Sequence, residues 1–135
     1  MSSPLPYLRA DSDVIFEREF KVPKPTAAIL KDPITAQLDA YNSHDLGRFL
    51  SCFAPEVVFK DGAGELMLKG HRQMYRVYSG LFEAGKIKAS VDKIGKVGNH
   101  EVHHQVVTGL SKKPQEVIIV YRHEDGLIRE VQMFR

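Results

Sequence analysis

Ile34-Thr-Ala-Gln-Leu-Asp-Ala-Tyr-Asn42, continued by Ser43-His-Asp-Leu-Gly-Arg-Phe-Leu-Ser-Cys-Phe-Ala-Pro-Glu-Val-Val-Phe-Lys-Asp61, is the stretch on which the fold turns. Ile34, Leu38 and Tyr41 fall on one helical face. Asn42-Ser-His-Asp45 breaks that helix and starts another, with Asp45 or Ser43 as its N-cap. Leu46, Phe49, Leu50 and Phe53 supply the second apolar stripe, and Ala54-Pro55 ends it because proline lacks a donor. Glu56–Asp61 is a short β-rich run, closed by a turn at Gly62-Ala-Gly64. A second run, Leu66–Lys69, ends at Gly70. A third helix follows from His71, with Met74, Val77, Tyr78, Leu81 and Phe82 on one face and Gly85 as its stop.

Working outward, the segment before this stretch is proline-broken (Pro4, Pro6, Pro23, Pro25), yet Val14, Phe16, Phe20 and Val22 alternate within it. Residues 13–22 read as a strand or extended arm that must lie on a sheet edge or a partner. Residues 1–32 are therefore assigned to an arm and 33–135 to one folded domain. After Gly85 the pattern changes to period two. Strands are expected over 86–94, 100–110, 116–123 and 127–134, with turns at Val97-Gly-Asn99, around Ser111–Pro114 and at Glu124-Asp-Gly126. The run Val117–Tyr121 reads as buried on both sides. Helices first and antiparallel strands last give an α+β class with the helices on one sheet face.

Composition narrows the function classes. The chain has 135 residues, 43% hydrophobic and 27% charged, with a formal net charge of +2. That charge is too small and too dispersed for a nucleic-acid footprint, and Lys112-Lys113 reads as a solvated loop. A single cysteine, Cys52, fits a reducing compartment, and no apolar run reaches membrane-spanning length. A cytoplasmic protein with neither nucleic-acid nor membrane partner is expected. His100, His103 and His104 cannot converge from one strand, because alternation splits them between faces, and no metal motif is present. No metal and no cofactor are expected. His44 belongs to the interhelix turn and His71 to the strand-to-helix turn.

Ala40-Tyr-Asn-Ser-His-Asp-Leu46, Phe53-Ala-Pro-Glu-Val-Val-Phe-Lys-Asp61, Leu68-Lys-Gly-His71 and Tyr75–Phe82 together resemble the SnoaL-like, ketosteroid-isomerase-like group of the nuclear transport factor 2-like superfamily. The resemblance covers about residues 33–135. It implies a cystatin-like α+β roll, in which a cone-shaped, strongly curved antiparallel sheet wraps around three helices. It also implies an apolar cone for a small ligand or substrate and, in many members, a homodimer through the outer sheet face. Gln37, Tyr41, Phe59, Tyr78, Phe82, Ile119 and Tyr121 are the implied pocket residues.

Asp61 shares a strand face with Val57 and Phe59, so it is expected to enter the cone as a general base whose pKa burial raises. The alternative is a cap on the Gly62–Gly64 turn. The oxyanion donors of a ketosteroid isomerase, an enzyme the field uses as a standard case, have no counterparts here: the resemblance puts Gln37 and Ile119 at their places. Tyr41, Tyr75, Tyr78, His104 and Tyr121 are the candidate replacements. His104, placed with Val102 and Val106 on one face, is the candidate second acid/base. Two functions follow: an isomerase, lyase or cyclase acting through Asp61, or a non-catalytic ligand-binding or dimeric interaction module. The strands from His100 to Phe134 are apolar on both faces, which favours a twofold partner.

Overall fold

The structure is a computed structural model that describes Phe16 and residues 20–135, and within residues 20–135 four helices precede or interrupt six strands. Helix α1 (Ala27–Lys31) is a single turn capped by the Thr26 side chain, which accepts from the Ile29 amide at 3.3 Å. It falls within the span expected to form an arm, yet its Ile29 is buried in the main core. Helix α2 (Pro33–Ser43) starts with proline at N1, where no donor is needed, and Asp32 caps it by accepting from the Thr35 amide at 3.1 Å. Burial works against the Asp32 carboxylate. The Thr35 hydrogen bonds and the nearby Lys93 and Lys96 charges nevertheless hold it below the usual range.

Helix α2 ends at His44 in the left-handed region (φ 58°), and α3 (Leu46–Ser51) restarts under an Asp45 cap whose Oδ1 accepts from the Arg48 amide at 3.1 Å. Asn42 ties α2 to the sheet, because its side-chain amide mimics a strand edge. Its Oδ1 accepts from Ala89 N at 2.7 Å, and its Nδ2 donates to Ala89 O at 3.0 Å. The Asn-Ser-His-Asp restart therefore fixes the angle between helices and sheet.

Strand β1 (Phe53–Asp61) leads through a tight turn to β2 (Leu66–Lys69), and α4 (Gly70–Ala84) follows at once. Gly85 (φ 69°) closes α4, its N–H donating to Leu81 O at 3.2 Å. Then come β3 (Lys88–Val97), β4 (His100–Thr108), β5 (Gln115–Glu124) and β6 (Leu127–Phe134). The sheet order is β2-β1-β6-β5-β4-β3. Every neighbouring pair is antiparallel except β1 with β6, so the expected all-antiparallel sheet is corrected to a mixed one. The parallel pair arises because β6 is not joined to β1 by a hairpin. It returns beside β1 only after β2, the α4 crossover and the β3–β5 meander. Register shifts in β1, β3 and β5 bend the strands, and the unclosed sheet curls around α2, α3 and α4.

The core is the concave face of that sheet together with the facing helix stripes: Ile34, Phe49, Leu50, Phe53, Val57, Met74, Ile87, Ile128 and Val131 among others. The expected arm at 13–22 falls largely outside the described residues. Phe16 and Phe20 are described, and both rings pack on Tyr75, with centroids 5.6 and 4.8 Å away.

Candidate functional site

The helices do not fill the cone. A cavity of about 440 Å³ remains between α2, α3 and α4 and the concave face of β1, β4, β5 and β6. That volume is of the size small-molecule sites occupy, roughly 300–1,000 Å³. Its apolar wall is an aromatic cluster. Phe49 packs against Phe53, Tyr78 and Phe82 at centroid distances of 5.1, 4.9 and 5.1 Å. Of the seven residues expected to line the pocket, Gln37, Tyr41, Phe59, Tyr78, Ile119 and Tyr121 do so. Phe82 stands behind the wall, its ring against Tyr41 at 5.7 Å.

Polar groups gather at one depth. The Tyr121 hydroxyl accepts from Gln105 Nε2 at 2.9 Å and from Gln37 Nε2 at 3.1 Å. A phenol oxygen has two lone pairs, and both are engaged, which leaves its own proton to point elsewhere. Burial pushes Tyr121 up to about 12 against the pull of the two amides, and burial pushes Tyr41 up to about 12 as well. Tyr78 is raised in the same way by burial and by the neighbouring phenols, with Arg135 pulling it down. All three phenols are therefore neutral at ordinary pH, each keeping a proton to donate and none serving as a base. Cys52 is buried away from the cavity, Sγ against Arg48 O at 3.2 Å, with burial pushing its thiol up to about 12.

Asp61 does not enter this space. Its Oδ1 accepts from the Ala63 and Glu65 amides, both at 2.9 Å, while its backbone N–H donates to Glu65 O at 2.9 Å. The register shift after Phe59 and the tight turn carry the carboxylate out of the Val57/Phe59 row. It lies in a shallower groove with Met67, Met133 and Phe134. The expected inward base is thus replaced by the turn cap.

His104 is also corrected. On β4 the buried row is Glu101, His103, Gln105 and Val107, and His104 stands on the outer face with Nε2 2.9 Å from Glu116 Oε2. The reason lies in the pairing: Glu101 sits opposite Tyr121, and Gln105 opposite Val117. Odd-numbered residues of both strands must therefore share one face, and Tyr121 fixes that face as inward. Two features escaped the sequence reading as a result. One is Gln105, a direct partner of Tyr121. The other is the buried pair of His103 Nε2 and Glu101 Oε2 at 2.5 Å, with the His103 ring 5.2 Å from that of Tyr121. Met67, Met133 and Arg135 at the cavity mouth also went unread. Of the remaining histidines, His71 meets Phe53 O at 2.8 Å and His44 meets Ile87 O at 2.7 Å, so both bind backbone. Among the described residues no group of three or more His, Cys, Asp or Glu side chains is placed to hold a metal. No helix there is long and apolar enough to cross a membrane.

Residues 34–131 match the SnoaL-like domain. The chain belongs to the SnoaL-like domain family. No curated protein matches it. Solved structures share the SnoaL-like cone at low identity. A cystatin-fold protein from Novosphingobium aromaticivorans superposes with a TM-score of 0.62 at 23% identity, covering 79% of this chain and 97% of its own. A candidate polyketide cyclase from Sinorhizobium meliloti gives 0.64 at 20% identity, over 76% and 93%. TerC, co-crystallised with polyporic acid, gives 0.60 at 17% identity, over 78% and 89%. At these identities the likeness establishes the fold.

Proposed function

We propose that this SnoaL-like cone binds a small, largely apolar molecule carrying a carbonyl or hydroxyl oxygen, which Tyr121 grips at the deep end. The observation that carries this is the Tyr121 hydroxyl, whose lone pairs are taken by Gln37 and Gln105. Its proton is left to the cavity, where aromatic walls suit a flat or fused-ring body. TerC, which shares the fold, was co-crystallised with polyporic acid. Proton transfer by Asp61, as an isomerase, lyase or cyclase, is the weaker reading. Its carboxylate is engaged by two backbone amides outside the cavity. Among the described side chains that line the cavity the only carboxylate is that of Glu116, which is paired with His104.

The test is calorimetry with two probes that differ by one oxygen, 9-fluorenone and fluorene. The ketone should bind the wild type better than the hydrocarbon. Tyr121→Phe should weaken the ketone by about tenfold, as one buried hydrogen bond predicts, and leave fluorene unchanged. Equal affinity for the two probes in both proteins would overturn the reading. A twofold partner on the outer sheet face accompanies the proposal. Val102, Val106, Ile118 and Val120 form a half-buried apolar patch there, with no helix of the described residues over it. A monomer by light scattering at micromolar concentration would rule that partner out.

A further inference from the structure

The two ends of the cavity differ in charge. At the deep end the polar atoms are neutral phenols and amides. At the mouth stands Arg135, which lines both the cavity and the open groove beside it, as do Met67 and Met133. Its guanidinium makes no ion pair with any described residue, and its charge reaches inward as far as the Tyr78 phenol. The loop between β4 and β5 forms the other side of the mouth. Leu110, Ser111 and Gln115 line the cavity, and Lys112 and Lys113 sit between them at the exposed tip. Neither lysine has a carboxylate partner among the described residues.

The two carboxylates near the mouth are bonded to groups other than Arg135 and the lysines. Glu116 bonds His104 on the outer face, and Asp61 caps its turn. The apolar opening is thus flanked by the Arg135 guanidinium and, across it, by Lys112 and Lys113, and fixed cations at such a site help draw in and orient an anionic group. The throat between rim and cone is floored by two methionines, whose unbranched, polarizable side chains adapt to varied shapes.

We infer that the occupant is an amphipathic acid: a fused- or linked-ring body in the cone, a neutral oxygen on Tyr121, and an anionic carboxylate at the mouth beside Arg135. The inference rests on the binding reading above and adds the ligand's charge and its orientation. Oxygen enters first, and the acid remains at the water interface, where its charge keeps most of its hydration. The rim is built for selection more than for tight binding, since exposed ion pairs contribute modestly.

The experiment compares 9-fluorenone with 9-fluorenone-2-carboxylate by calorimetry at neutral pH, on wild type and on Arg135→Gln, an exposed position where the fold is not at risk. The carboxylate should bind the wild type about fivefold tighter than the ketone at low salt. That advantage should shrink in about 0.5 M salt, where screening shortens to a few ångströms. In Arg135→Gln the ratio of carboxylate to ketone affinity should fall to about one. If the ketone binds and the carboxylate gains nothing, or keeps its gain in Arg135→Gln, the acid inference is overturned and the cavity reading stands. If neither probe binds at millimolar concentration, both are overturned.

Discussion

His103 and His104 are neighbours in the chain and opposites in the molecule. His103 is wholly buried, its Nε2 2.5 Å from a Glu101 carboxylate that is itself buried, and its Nδ1 has no partner among the described residues. His104 makes a comparable contact with Glu116 at 2.9 Å, but on the outer face, where the glutamate side chain is 75% exposed. The same pair of chemical groups thus appears twice, one residue apart, in two dielectric settings. Inside, the Glu101 and His103 groups have each other in place of water, and the loss of one strands the other. Outside, water substitutes. The inner face of β4 and β5 is consequently where the loss of one polar group should cost most.

The largest expected effect breaks the inner pair. His103→Ala leaves the Glu101 carboxylate buried with only Lys93 and Lys96 at 3.8 and 4.0 Å for compensation. Urea denaturation should show a loss of about 3 kcal/mol. His104→Ala should cost no more than about 0.5 kcal/mol. Equal losses in the two variants would erase the contrast.

Next in size is the turn at Asp61. Asp61→Ala removes the acceptor for two amides and should cost about 1 kcal/mol, whereas Asp61→Asn keeps an oxygen there and should be close to neutral. Neither change should alter affinity for 9-fluorenone in the cone. A steep loss of function with Asp61→Asn at unchanged stability would instead restore the carboxylate as a base.

A smaller effect concerns acid. Burial holds His71 below its ordinary value, against the pull of the Phe53 and Leu50 carbonyls. The unfolded chain therefore takes up a proton that the folded state refuses. The contribution of His71 is complete above the unfolded value of about 6.5 and is lost as pH falls from there towards the folded value. Urea midpoints measured from about pH 7.5 to 5 should fall less steeply in His71→Gln than in wild type.

Much of the fold was legible because local rules sufficed. Asp45 and Gly85 announce helix ends by cap chemistry, and the helical stripes from Ile34 to Phe82 need only periodicity. The parity of β4 was not legible from composition. Val102 and Val106 look like core residues, yet they belong to an outer face that is itself apolar, and Glu101, His103 and Gln105 look like surface residues. What decides the face is the β4–β5 register, a nonlocal quantity. The family resemblance implies that Tyr121 faces inward, so a correct pairing across the Ser111–Pro114 loop brings Gln105 with it. Asp61 misleads for a related reason: strict alternation holds only while a strand stays regular, and β1 slips register just before its last two residues.

The parallel β1–β6 ladder bears on how the molecule is made. Gln132 donates to the backbone of Asp61 across 71 residues of chain, and β6 is the strand that joins the β1–β2 hairpin to the β5-β4-β3 meander. On the ribosome the helices and the meander are synthesised and able to form while β1 still shows an unpaired edge. The cone closes only after β6 has emerged and threaded between the two halves. Such distant pairing is slow, and the waiting edge is open to wrong partners. A nascent chain arrested before β6 would hold separate half-sheets with no cavity between them. For this protein the cavity therefore exists only once β6 has emerged and paired with both halves.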